Sequence, residues 1–470
     1  MFGRRYIEVP TGTKARIAEI EKSVISTDCW MVDMLRFHSG PKDNYTIWAH
    51  IHAAFSNIFF AAMSNTFIIG YFRTIGFSEM HIGVYGMLAG IGGMSCIFGP
   101  WISQRTGLYK KTSLMLLTIA RAACLLGVLV GVFENGSMKA WVPILTLFFM
   151  LIYQLGLYMS TPVILSWFHD LTGRDGWQRF FSVRMIISDT TVLLTSLVIG
   201  NILGDSPTRL VFVVVFMVAI LFGFGSNFFM GKMPDARVET MHTGVWEYLK
   251  KIWNASRQPA FRTLFIILFL RAFAYGLIMP FQPVFLLEVL HFDYGQMSIL
   301  VTIATSTAVV GYRFWTVLQR RYNNAINFKW NLYLSILDPL IWAIAAQGNK
   351  TLIYIAVALF GLAGVQGLIN SGYFLSCIGS IFDRSTDDMK PIFTSMYYVL
   401  FGIASSIAPL LGGYFIQSFN RMQTELFIGN LAINGYSILF AIASVLLVIA
   451  ACLSAFSTPR KELKRSRRAV

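Results

Sequence analysis

The chain has 470 residues, of which 56% are hydrophobic and only 13% charged, whereas soluble domains carry about a quarter charged residues. A soluble cytosolic enzyme is therefore excluded as the starting point. Mean hydropathy is +0.61, and apolar runs of about 20 residues recur throughout, which fits a bundle of bilayer-crossing helices. The net charge of +15 falls in short segments between those runs, the pattern of membrane loops, so nucleic acid is not an expected partner.

Residues 1–43 carry Arg4, Arg5, Lys14 and Arg16 but no apolar core of a signal peptide, and they are expected to form a cytoplasmic tail. Twelve spans follow, at 46–72, 80–103, 112–133, 141–167, 183–204, 209–230, 262–288, 295–318, 328–347, 351–380, 391–418 and 430–456. A polar loop is expected from Asp170 onward, between spans four and five. Of the 38 Lys and Arg, 31 lie on the side that holds both tails, five (Arg73, Lys139, Arg209, Lys350, Arg421) lie opposite, and Arg121 and Arg271 lie within spans. The positive-inside rule then puts both termini in the cytoplasm of a multi-pass cell-membrane protein.

This divides the chain into the tail, a six-helix bundle at 44–230, a cytoplasmic linker at 231–261, a second six-helix bundle at 262–456 and a basic tail at 457–470. In the linker, Val245, Trp246, Leu249, Ile252 and Trp253 share one helical face, with Lys250 and Lys251 off it. That is the pattern of a helix lying along the inner leaflet. Cys29, Cys96, Cys124, Cys377 and Cys452 have no metal-ligand spacing, and neither metal nor cofactor is expected.

The second half echoes the first. Residues 76–81 (GFSEMH), entering span two, match 291–296 (HFDYGQ), entering span eight, at an offset of 215, and Gln104-Arg105 matches Gln319-Arg320 at the same offset. A duplicated six-span unit explains the common order and spacing, and such repeats mark transporters whose halves rock about a midplane site.

Over residues 46–456 the chain resembles the major facilitator superfamily. The resemblance rests on the twelve spans, the six-plus-six repeat, the middle loop and the segment from Gly99 to Lys111. That family usually reads G-x-x-x-D-R-x-G-R-K between spans two and three; Arg105, Gly107, Lys110 and Lys111 are similar, but Gln104 replaces the aspartate. The resemblance implies an all-α fold of twelve transmembrane helices in two pseudo-repeats around a central cavity lined by spans one, four, seven and ten. It also implies a gate at Gln104, Arg105 and Gly107.

The polar residues of those four spans fall on single stripes. Span four has Gln154, Tyr158 and Thr161; span ten has Gln366, Asn370 and Tyr373; span seven has Arg271, Tyr275 and Gln282; span one has His50, Asn57 and Ser64. Asn57, Gln154, Arg271 and Gln366 share a depth near mid-span, which predicts a solute site, although buried amides also serve as helix-to-helix glue at about 0.6 kcal/mol each. Arg121, Asp189, Arg271 and Asp338 are charges inside spans. Structural pairing of Arg121 with Asp189 and of Arg271 with Asp338 is the alternative to function. A guanidinium suits a carboxylate or phosphate, so Arg271 is assigned to an anionic group of the solute. Asp189 is the candidate for proton coupling. Pro280 and Pro283, near the outer end of span seven, are candidates for gating motion.

Neither paired carboxylates nor a nucleophile with a base occur at one depth, so no enzyme is expected. The reading is a monomeric secondary active or facilitative transporter, symporter or antiporter, that moves a small polar, anionic organic solute through the lipid bilayer by alternating access, with protons as a candidate coupling ion. A transporter-like receptor and a lipid translocase or scramblase are the alternatives.

Overall fold

The computed structural model describes residues 44–132, 141–205, 207–235, 246–247, 250, 259–322, 324–345, 352–382, 390–421, 426–428 and 431–456. In chain order the helices are α1 (Asn44–Ala62), α2 (Asn65–Thr74), α3 (Glu79–Ser95), α4 (Phe98–Thr106), α5 (Tyr109–Val132), α6 (Trp141–Leu203), α7 (Arg209–Gly231), α8 (Pro259–Ile278) and α9 (Gln282–Val284). A π-turn over Phe285–Val289 follows, then α10 (Tyr294–Arg321), α11 (Asn324–Ser335), α12 (Leu337–Ala345), α13 (Leu352–Phe382) and α14 (Lys390–Arg421). A short antiparallel pair, β1 (Leu426–Ile428) and β2 (Leu431–Ile433), precedes α15 (Gly435–Phe456). Helices suit the apolar runs because a segment in lipid must satisfy its own backbone hydrogen bonds.

Helix occupies all twelve predicted stretches. Among the described residues, eight helices are long and apolar enough to cross a membrane, or nine when α1 and α2, bent by 41°, count as one. That measure does not reach twelve: the second stretch divides into α3 and α4 and the ninth into α11 and α12. Two expectations are corrected. Helical hydrogen bonding continues past Asp170 through α6 instead of giving way to a loop, although the chain still reverses there. Phe168 packs edge-on to His52, Arg184 lies 3.2 Å from the same imidazole and its guanidinium covers the Phe168 ring, so both arms of α6 meet α1 at one level. The last span starts at Gly435, because Leu431–Ile433 pairs in the hairpin. The helix read in the linker lies outside the described residues apart from Trp246, Glu247 and Lys250, which are exposed.

The repeat reappears as local geometry. Ser78 and Asp293, 215 apart, are both N-caps of capping boxes, closed by His81 and Gln296, themselves 215 apart. The turn before each cap needs a positive φ, supplied by Gly76 (88°) and by His291 (54°) at the same offset. Phe77 and Phe292, between turn and cap, are both buried. Each half therefore enters its second span through one device, built with different side chains.

Candidate functional site

Call the end where Tyr45 enters and Phe456 leaves the tail end, and the other the far end. Apolar packing differs sharply between them. One core joins the halves: Phe67, Phe72 and Phe77 of the first half with Phe281, Phe285 and Phe292 of the second. At the tail end each half keeps its own core, one of Ala49, Leu117, Trp167, Phe168, Phe180, Met230 and Met233, the other including Phe261, Leu264, Phe328, Cys377 and Ala451. The far end is closed by side chains of both halves. Among the described residues, no buried apolar core joins the halves at the tail end.

Helices α3 and α14 make the closest seam between the halves. A Cβ at Gly83 would meet the Pro409 carbonyl and one at Gly413 the Glu79 carbonyl, while Gly90 lies directly against Ser406 and Gly402. Beside the seam, the Tyr294 amide donates to the Gly204 carbonyl at 3.2 Å and its ring packs on Phe212.

An ionic cluster caps this end. The Arg73 guanidinium holds Glu288 of the other half through Nε and Nη2, Glu79 at 3.0 Å and the Phe77 carbonyl at 2.7 Å. Arg73 and Glu288 are also 215 apart. Because Glu288 is 43% exposed, the bridge is expected to contribute about 1 kcal/mol. Glu288→Gln should shift the balance between far-end-closed and far-end-open protein by about fivefold, read as a larger long-distance population between spin labels at the exposed positions Thr208 and Tyr414. An unchanged distance distribution would show that the bridge follows closure without favouring it.

Arg271 on α8 is 6% exposed. Its guanidinium lies 3.3 Å from the Tyr373 ring centroid and 4.6 Å from that of Tyr275, so the faces are covered while Nε and Nη2 have no hydrogen-bond acceptor among the described residues. Asp338 on α12 lies within electrostatic reach of Arg271 but is left with Oδ1 unbonded and forms no direct contact with the guanidinium, whose Nε and Nη2 have no acceptor. Gln366 Nε2 donates to Asp338 Oδ2 at 3.4 Å. Tyr275 and Trp342 approach the same carboxylate, yet Oδ1 receives no well-formed hydrogen bond.

Of the residues predicted to line a site, Tyr275, Tyr373 and Gln366 thus gather round Arg271 and Asp338. The others do not. Asn57 is tied to the Ala53 carbonyl at 2.8 Å and to Ser188 Oγ at 3.0 Å, a bridge between α1 and α6. Gln154 and Tyr158 pack against Gly92 on α3, and Asn370 is exposed. Gln282 opens α9 beyond the break at Met279–Phe281 and belongs to the far end, where α9 packs on α2. Pro280 and Pro283 flank that break as expected, with Pro283 at the second helical position, in the first turn, where an N–H has no intrahelical acceptor and its loss costs little.

The alternative pairing of Arg121 with Asp189 is not formed either. Arg121 bonds Asn227, Ser226 at 2.8 Å and Ser56 at 3.4 Å, with Phe59 beneath it. Asp189, half-buried on α6, faces Tyr312 of α10. In the predicted gate segment Gly107 adopts φ 70° as the cap of α4, and Arg105 stacks over Trp101 at 4.2 Å, exposed; the Gln104 side chain lies outside the description. Trp342 and the Arg73–Glu288 bridge were missed from sequence. Trp342 stands four residues after Asp338 on the same helical face, a signal that was available.

The architecture matches solved membrane transporters. A mutant of the nucleoside transporter NupG superposes with a TM-score of 0.72 at 14% identity, over 88% of this chain and 100% of that one. The chain has the major facilitator fold. A POT family transporter in complex with a thioalcohol-conjugated peptide follows at 0.65 and 12% identity, over 88% and 96% of the two chains, and a bacterial metal transporter at 0.64 and 10%, over 89% and 99%. No protein-family model and no curated protein matches the sequence. Within the major facilitator fold the closed far end, the separate tail-end cores and the Arg271 cluster gain a common frame: two helical halves whose cores join at one end and, among the described residues, stay separate at the other.

Proposed function

We propose that the chain is a secondary transporter that carries a small polar organic solute across the cell membrane by alternating access, engaging an anionic group of that solute through Arg271. The observation that carries this reading is the shared apolar core at the far end against two separate cores at the tail end. Such packing belongs to a protein open on one side, and a rocking of the halves would exchange the two arrangements. Arg271, with two unfilled donor nitrogens beside aromatic faces, supplies the recognition chemistry. The transporters that share the fold support solute transport as the general activity.

The charge asymmetry of the loops supports a cytoplasmic tail end, hence an inward-open state. Residues 44–230 and 262–456 are then the two rocking units, with Pro280, Pro283, Arg105 and Gly107 at their gates. Tyr275, Tyr373 and Gln366 form the site with Arg271, while Asn57, Gln154, Tyr158 and Asn370 line the approach from the opposing half and from α13. Gln282 acts with the far-end closure, and Asp189 is the group to test for proton coupling. The decisive experiment is counterflow in proteoliposomes, with radiolabelled candidates drawn from a thermal-shift screen of metabolites. Exchange of a bound solute is expected. Binding without exchange would make the protein a receptor, and movement of labelled phospholipid instead would make it a scramblase.

A further inference from the structure

Resting on the transport reading, we propose that the solute is a zwitterion, with a carboxylate that engages Arg271 and an ammonium group that faces Asp338. Arg271 and Asp338 are 6% and 1% exposed, so the cluster holds one positive and one negative charge away from water. They feel each other without touching, and each keeps an unfilled position: Nε and Nη2 on the guanidinium, Oδ1 on the carboxylate. A bare anion placed on Arg271 would leave the cluster with one excess negative charge, because Asp338 already balances the arginine. A neutral solute would fill both positions only with weaker, uncharged hydrogen bonds. A molecule that brings one charge of each sign fills both and leaves the buried total at zero.

The packing round the two charges supports this division of labour. Tyr373 and Tyr275 cover the faces of the guanidinium, so its edge is what remains for a carboxylate. Gln366 holds Asp338 Oδ2, fixing the acid, while Tyr275 and Trp342 approach the carboxylate without a well-formed hydrogen bond to Oδ1. The first half offers a contrast. Its buried arginine, Arg121, is ringed by Asn227, Ser226 and Ser56, neutral groups that take up its Nη1 and Nη2 donors, leave Nε unfilled and supply no acid. The bipolar arrangement belongs to the second half.

The test uses the full chain, purified and reconstituted, with matched probes: the twenty standard amino acids and glycylglycine as zwitterions, and their des-amino carboxylic acids as anions. Wild-type protein should be stabilised by at least one zwitterion and bind the corresponding des-amino acid at least about tenfold more weakly. In Asp338→Asn the preference should reverse, with the des-amino acid gaining at least about tenfold relative to its parent. Equal binding of zwitterion and des-amino acid, an unchanged preference in Asp338→Asn, or binding of no zwitterion each overturns the proposal. Counterflow separates the two failures: exchange of des-amino acids leaves transport standing and removes the zwitterion, whereas binding without exchange removes transport and leaves the recognition chemistry. Should Asp338→Asn not fold, the wild-type comparison decides alone.

Discussion

Replacing Gly90 by leucine is expected to drive the protein out of the conformation described here. Gly90 lies in the α3–α14 seam against the Ser406 backbone nitrogen and side chain and the Gly402 carbonyl. A side chain there meets backbone on the facing helix, which cannot rotate aside as a flexible side chain can. Overpacking of this kind costs about 1–3 kcal/mol when a structure must absorb it, and a two-state carrier avoids the cost by leaving the state that contains the contact. A shift of about tenfold to a hundredfold toward far-end-open protein follows. Spin labels at Thr208 and Tyr414, both exposed and on opposite halves, would read it as a longer distance in a cysteine-free background. A folded Gly90→Leu protein with an unchanged label distance would show that the seam does not control the opening.

The second large effect concerns Arg271. Arg271→Gln removes the cation from a cluster that retains Asp338, so two losses should appear together. Stability in detergent should fall by about 3–5 kcal/mol, the cost of leaving a buried charge without compensation. Binding of any solute through its anionic group should weaken by about a hundredfold or more. Adding Asp338→Asn should restore most of the stability and none of the binding. Recovery of transport in the double variant would make the two residues an architectural pair and place recognition elsewhere. Arg271→Lys, which keeps the charge but loses the planar fork, should fall between wild type and Arg271→Gln.

Much of this architecture was legible in the sequence, because membrane helices are dictated by apolarity over a fixed length. The repeat was legible at residues 76–81 and 291–296, where turn chemistry and capping restrict the residue types. Helix breaks were less so. The division of the ninth span at Ile336 comes three residues before Pro339, which has no N–H for the Ser335 carbonyl and crowds it, a signal the uninterrupted span passed over, and the continuous helix through Asp170 runs where polar composition reads as loop. At the site, a stripe of residues gives direction but not surroundings. The Arg271, Tyr275 and Tyr373 stripes led to a true cluster, while Asn370, on the same stripe as Gln366 and Tyr373, ended exposed. Projection of Gln282 onto the face of Arg271 presumed an unbroken helix, and the break before Pro283 invalidates it. The partnership of α12 with α8 and α13 round Asp338 depends on three-dimensional packing that no single-helix pattern encodes.

The Arg73–Glu288 bridge carries a consequence for the origin of the molecule. Its residues occupy the same place in the two repeats, so the contact lies on the axis that relates one half to the other. In an ancestor made of two identical copies, both sides of that contact would have been the same amino acid. Two arginines or two glutamates face to face repel, and such a pair would have held the mouth apart. Opposite signs became available there only once the two copies were free to diverge, so this bridge is younger than the helices it joins. The same divergence separates Gly76 from His291 and Ser78 from Asp293, where the backbone kept its shape while the residues changed.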